Sequence, residues 1–109
     1  MARTVNRGDI WTYRFKARDK RRPVLVLSRA DVIGLLHTVM VAPVTSTIYG
    51  APSEVHVGIA EGLKHESAIN LDHVQTVEQS RLAGRLGHLG PKKLREVCRA
   101  LAVATGCAD

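Results

Sequence analysis

The stretch Arg21-Arg22-Pro23-Val24-Leu25-Val26-Leu27-Ser28 constrains the fold more than any other part of this 109-residue chain. Four consecutive aliphatic side chains without polar alternation read as a strand covered on both faces. Pro23 lacks an N–H, and at the first position of a strand no interior ladder bond is lost. A strand buried on two sides needs neighbours along both edges and cover above and below, so the chain has to build a sheet around it. Arg21 and Arg22 are then held at a rigid strand mouth, where a guanidinium offers a phosphate a fixed fork of donors. A solvated basic loop is the competing reading of the same two residues.

The flanking sequence supplies the other strands. Arg7 to Phe15 reads as a first strand with Trp11, Tyr13 and Phe15 on one face by the two-residue period, and Lys16 to Arg21 as a charged hairpin loop. Such an aromatic strip belongs to a core, or stacks on nucleic-acid bases beside a basic groove. Arg29 to Leu36 is irregular, with a turn at Gly34, and His37 to Val44 is a third strand. The hydroxyl run Thr45-Ser46-Thr47 follows, which either satisfies turn backbone or aims an oxygen at a ligand. Glu54 to Val57 is a short fourth strand, Gly58 to Glu66 a polar connection, and Ser67 to Val77 one long strand. A helical turn at 78–82 and a short strand at 85–89 lead to Gly90-Pro91, which opens a helix ending at Gly106. Five or six short strands plus one terminal helix predict a mostly β fold, a small curled barrel carrying a C-terminal α-helix, in a single domain spanning 1–109.

Charge is segregated along the chain. Residues 1–29 carry nine bases against two acids, residues 30–80 one base against six acids, and residues 81–109 six bases against two, for a net +6. A focused basic surface favours polyanions, with nucleic acid the leading partner class. No apolar run is long enough to cross a bilayer and the amino terminus has no apolar signal segment, which predicts a cytoplasmic protein. Cys98 and Cys107 are then expected as free thiols, small and buried or incidental. His56, His65, His73 and the two cysteines lack the paired spacings of a zinc site, so neither metal nor cofactor is expected. Ser28, Ser46 and Ser53 lack nucleophile-elbow glycines, and no glycine-rich phosphate loop is present.

Arg7-Gly8-Asp9-Ile10-Trp11, Arg22-Pro23-Val24-Leu25-Val26-Leu27-Ser28 and Val41-Ala42-Pro43-Val44-Thr45-Ser46 resemble, in order and spacing, the three signature segments of the MazF/PemK (Kid) toxins. The resemblance extends more weakly through Asp72 to the terminal helix. It implies an SH3-like barrel, a homodimer, and a metal-independent endoribonuclease that cuts single-stranded RNA at a short sequence. Messenger RNA is the first candidate target, ribosomal and transfer RNA the others. It also implies a cognate antitoxin that lays an extended segment across the dimer. Residue by residue, the family's catalytic arginine falls on Arg22 and its catalytic threonine on Thr45. The acid of the family's Asp/Glu-Gln-x-Arg-Thr segment falls on Asp72, with His73 in place of the glutamine and Gln75 in place of the arginine. The hairpin loop is also short and lacks the histidine that some relatives place there.

Cleaving RNA without metal requires the 2′-hydroxyl to attack its own phosphate, so a site must hold the sugar, stabilise phosphorane charge and move two protons. Arg22 suits the charge, and Thr45 a non-bridging oxygen. Ser46, Lys20, Arg21 and Gln75 are supporting RNA contacts, with Arg18 a further phosphate contact. Asp72 serves either as proton acceptor or as a structural hydrogen-bond acceptor, so the base stays unassigned. Trp11 and the hairpin loop are expected to line a groove shared by RNA and antitoxin. Two alternatives remain open: a CcdB-like gyrase-inhibiting toxin, whose Trp-Gly-Ile end is missing from the Ala104-to-Asp109 terminus, and a nucleic-acid-binding barrel without activity.

Overall fold

A computed structural model of the protein describes residues 4–16 and 20–107. Strands β1 (Asp9–Tyr13), β2 (Arg22–Val26) and β3 (Thr38–Thr45) run antiparallel side by side, with β7 (Arg85–His88) on the outer edge of β1. The remaining strands are β4 (Glu54–Val57), β5 (Ser67–Asn70) and β6 (Gln75–Glu78), and a short helix α1 (Ala30–Ile33) fills the stretch expected to be irregular. The order is β4-β5-β3-β2-β1-β7, with β6 also on β3. The sheet curls into a half-barrel, and the terminal helix α2 (Pro91–Thr105) lies against β4 and the turn after β5.

β2 is the buried centre, as its sequence requires. Val24 and Val26 face one core with Trp11, Tyr13, Val39, Val41 and Leu82. Leu25 and Leu27 face the other, with Ile10, Ala42, Val44, Ile69 and Val97. The aromatic strip of β1 is thus core: Trp11 is 5 % exposed and Tyr13 4 %, with Phe15 edge-on to Tyr13 at 4.9 Å between ring centres.

The long strand expected over Ser67–Val77 is two strands separated by a 3-10 turn, Leu71–His73, giving seven strands among the described residues. Asn70 breaks it, because its side-chain oxygen takes the Asp72 N–H at 2.9 Å and curls the backbone away from the ladder. β3 pairs Val44 with Ile69 but Val41 with Gln75, so the extra residues of the turn let β5 leave with β4 while β6 stays with β3.

In α2, Val97 and Ala100 are buried and Leu94, Leu101 and Ala104 pack beside them. Pro91 opens the helix, and Gly106 closes it with φ +76, donating its N–H to Ala102 and Val103 carbonyls. Cys98 and Cys107 are free thiols and both are exposed, the incidental of the two expected readings.

Candidate active site

The site begins with a missing N–H. Thr12 gives its N–H to Gly84 and accepts that of Ala83, so both its backbone polar groups face the β7 side. In its pair with Pro23, therefore, the proline faces β3. The β2–β3 ladder pairs Val26 with Val41, Leu25 with Ala42 and Val24 with Pro43, and it ends where Pro23 would have to donate to the next residue of β3. Continued in the same register, Arg22 would stand opposite Thr45. The strands part there, and the gap is a cleft of about 420 Å³ lined by both residues.

Arg22 and Thr45 share the cleft with Lys20, Arg21 and Ser46 from the same strand ends. Its far wall is the connection from β4 into β5, bringing Lys64, His65 and Ser67, the first residue of β5. Pro23, Val44, Leu63 and Leu86 provide apolar surface. Four cations and several hydroxyls therefore converge with no carboxylate among the described lining residues, and none of the four makes an ion pair with a described acid. Such a cleft attracts anions. Thr45 Oγ1 accepts the Thr47 N–H at 3.1 Å, so one oxygen stabilises its turn and keeps its own proton to donate. The following loop is fixed by Glu54, whose Oε1 accepts the N–H groups of Tyr49, Gly50 and Ala51 at 3.2, 2.8 and 3.2 Å.

Three residues expected at the site lie elsewhere. Trp11 turns into the core, and its indole N–H donates to Asp9 Oδ2 at 3.3 Å, with Arg85 on Oδ1 at 3.2 Å. It is thus excluded from the cleft by the same alternation that puts it beside Val24. Asp72 accepts the Ser53 hydroxyl at 2.5 Å and borders an apolar hollow against α2 with Leu27, Val74 and Leu101, on the structural side of its two sequence readings. Gln75 pairs with Val41, four residues from Thr45 along β3, or about 13 Å at the usual rise per strand residue. Arg18 and part of the hairpin loop lie outside the described residues. Lys64, His65 and Ser67 were not singled out as site residues by the sequence. Lys64 and His65 sit in a polar connection with no local signal beyond their own side chains, and Ser67 opens β5. Among the described residues, no three His, Cys, Asp or Glu side chains group as metal ligands, and no helix is long and apolar enough to cross a membrane.

Residues 6–105 match the family described as PemK-like, MazF-like toxin of type II toxin-antitoxin system. A probable endoribonuclease MazF5 of Mycobacterium tuberculosis is 42% identical over 103 residues, covering 94% of each chain. The solved structure of the M. tuberculosis toxin MazF-mt6 superposes with a TM-score of 0.83 at 33% identity, over 90% of this chain and 96% of that one. A MazE–MazF structure from Deinococcus radiodurans superposes with a TM-score of 0.81 at 29% identity, over 96% and 98%.

Proposed function

Because the chain belongs to the PemK-like, MazF-like toxins of type II toxin-antitoxin systems, we propose that its basic cleft cuts single-stranded RNA and that Arg22 and Thr45 carry the cleavage. The endoribonuclease activity rests on the family and on relatives named for it. The assignment of residues rests on one observation: the β2–β3 ladder stops at Pro23 and leaves Arg22 and Thr45 facing a common cleft without an acid among its described lining residues.

The 2′-oxygen attacks the neighbouring phosphorus, the bond to the 5′-oxygen breaks, and the products end in a 2′,3′-cyclic phosphate and a 5′-hydroxyl. Arg22 binds the charge that builds on the non-bridging oxygens, and it does so from a strand end that does not reorganise. Thr45 donates its hydroxyl proton to one of those oxygens. Lys20, Arg21 and Lys64 hold flanking phosphates, supplying affinity without reading bases. On this reading the chain acts as one domain in the cytoplasm, pairs with a second copy and is neutralised by an antitoxin, and a relative solved as MazE–MazF supports the last of these.

Incubation with a long RNA in EDTA tests this. Cleavage to 5′-hydroxyl fragments is expected, whereas intact RNA that only shifts in mobility would leave a binding barrel and remove the nuclease.

A further inference from the structure

The cleavage reaction needs an acceptor for the 2′-hydroxyl proton, and the described cleft holds one suitable group. Arg21 and Arg22 are permanently protonated, and the Lys20 and Lys64 ammoniums carry no acceptor lone pair. Thr45 Oγ1 already accepts an N–H. No carboxylate lines the cleft among the described residues, and Asp72 is committed to Ser53 on another side of the molecule. That leaves the imidazole of His65, whose side chain is exposed at the cleft wall. Imidazole is the side chain whose ordinary titration falls between pH 5 and 8.

His65 is also held in place, which a proton-transfer group requires. The 3-10 turn Ile59–Glu61 is closed by the Glu61 carboxylate, which accepts the Gly58 N–H at 2.6 Å. The Leu63 N–H returns to the Gly58 carbonyl at 3.2 Å, and the Leu63 side chain is buried in the core. Gly62 and Gly87 let this turn and β7 cross backbone on backbone: an added methyl on Gly62 would strike the Leu86 carbonyl, and one on Gly87 the Glu61 carbonyl. On the other side the Ser67 hydroxyl donates to the His65 carbonyl at 3.1 Å, and Ser67 itself pairs with Val57 in the sheet. His65 therefore has a buried anchor two residues away in each direction while its ring stays free for substrate. Neighbouring Glu66 points elsewhere, its carboxylate 2.8 Å from His56 Nε2.

On the ribonuclease reading above, we propose that His65 is the general base. Its unprotonated ring nitrogen takes the proton from the 2′-hydroxyl as the 2′-oxygen bonds to phosphorus. The P–O5′ pair leaves with the 5′-oxygen, which takes its proton from water, while Arg22 stays charged against the non-bridging oxygens. The charged groups facing His65 across the cleft are Lys20, Arg21 and Arg22, with Lys64 beside it.

Single-turnover cleavage by the wild type, His65→Gln and His65→Ala should be followed in EDTA from pH 5 to 9. Affinity is measured beside it on an RNA carrying a 2′-deoxy sugar at the cut site. His65→Gln should lower the rate on the order of 100-fold to 10,000-fold, the range for removal of a positioned base. Its affinity for the deoxy analogue should be nearly unchanged, and the rise of rate with pH on the acid side should disappear. Added imidazole should restore part of the His65→Ala rate. A 5′-bridging sulfur substrate, which needs no proton on its leaving group, should still show the His65→Gln defect. If the defect vanished there, His65 would be the acid and the base assignment would be overturned. A His65→Gln protein cutting at the wild-type rate, or losing rate and affinity equally, would also overturn it while leaving the ribonuclease reading intact. A wild type that binds RNA without cutting it would overturn both.

Discussion

The crossing of β7 over the Ile59–Glu61 turn allows a glycine-to-alanine experiment in which backbone angle and steric space are separated. At Gly62 both oppose a side chain: φ is +95, and an added Cβ would overlap the Leu86 carbonyl oxygen and lie 2.9 Å from its carbon. At Gly50 only the angle opposes it, with φ +76 and nothing within 4 Å. At Gly87 only space opposes it, because the new Cβ would overlap the Glu61 carbonyl and lie 3.4 Å from Gly62 Cα. At Gly34 neither does, with φ −77 and open surroundings. Holding an L-residue in the left-handed region costs roughly 1–2 kcal/mol, and forcing backbone apart roughly 1–3 kcal/mol. Gly62→Ala should thus lose roughly 2–5 kcal/mol, Gly50→Ala and Gly87→Ala roughly half as much each. Gly34→Ala should gain up to about 1 kcal/mol by restricting the unfolded chain. At roughly 4–8 °C per kcal/mol, Gly62→Ala should melt roughly 10 °C or more below wild type. Because the strained turn carries Lys64 and His65, its RNA cleavage should fall further than its stability alone dictates. Thermal melts and denaturant titrations of the four variants give the comparison. Equal shifts for Gly62→Ala and Gly34→Ala would refute the backbone crossing.

Two further substitutions test the frame of the site. The two hydrogens of the Gln79 amide nitrogen are shared among the carbonyls of Ile33, Leu36 and Thr38 at 2.7, 2.9 and 3.1 Å, so Gln79→Glu sets a carboxylate against those oxygens. It should lose roughly 2–3 kcal/mol in denaturant titration at neutral pH, with the loss shrinking in acid as the carboxylate protonates. Trp11→Phe should destabilise the fold by roughly 1–3 kcal/mol by removing core volume, yet leave RNA affinity within error of wild type. A selective loss of affinity would return Trp11 to the groove.

What could be read from sequence was what short-range patterns encode. The both-faces burial of Val24 to Leu27 and the glycine-closed helix follow from short runs of residues, and both are present, whereas Pro23, expected to open its strand, is the second residue of β2 because Arg22 still pairs with Tyr13. The break in Ser67–Val77 was hidden, because alternation continues straight through the Asn70 turn and only the side-chain bond to Asp72 interrupts the ladder. At the site, Arg22, Thr45 and Ser46 were readable because they flank a recognisable strand mouth. Lys64 and His65 were not, since their place in the cleft depends on β7 crossing the turn before them, a contact between residues far apart in the chain. Trp11 and Asp72 carry the residue types of a nucleic-acid site, but burial and the bond to Asp9 hold Trp11 in the frame, and the bond from Ser53 holds the exposed Asp72.

Charge at position 22 is expected to act on the transition state, whereas charge one residue earlier is expected to act on binding. Single-turnover cleavage and RNA affinity of Arg22→Ala and Arg21→Ala, measured in EDTA with circular dichroism to confirm folding, compare the two guanidiniums of the same cleft. Arg22→Ala should lose on the order of 100-fold or more in rate with little change in affinity. Arg21→Ala should lose affinity and about one phosphate contact's worth of salt dependence, with its rate at saturation nearly intact. Equal losses in the two variants, or a folded Arg22→Ala protein that cuts at the wild-type rate, would contradict it.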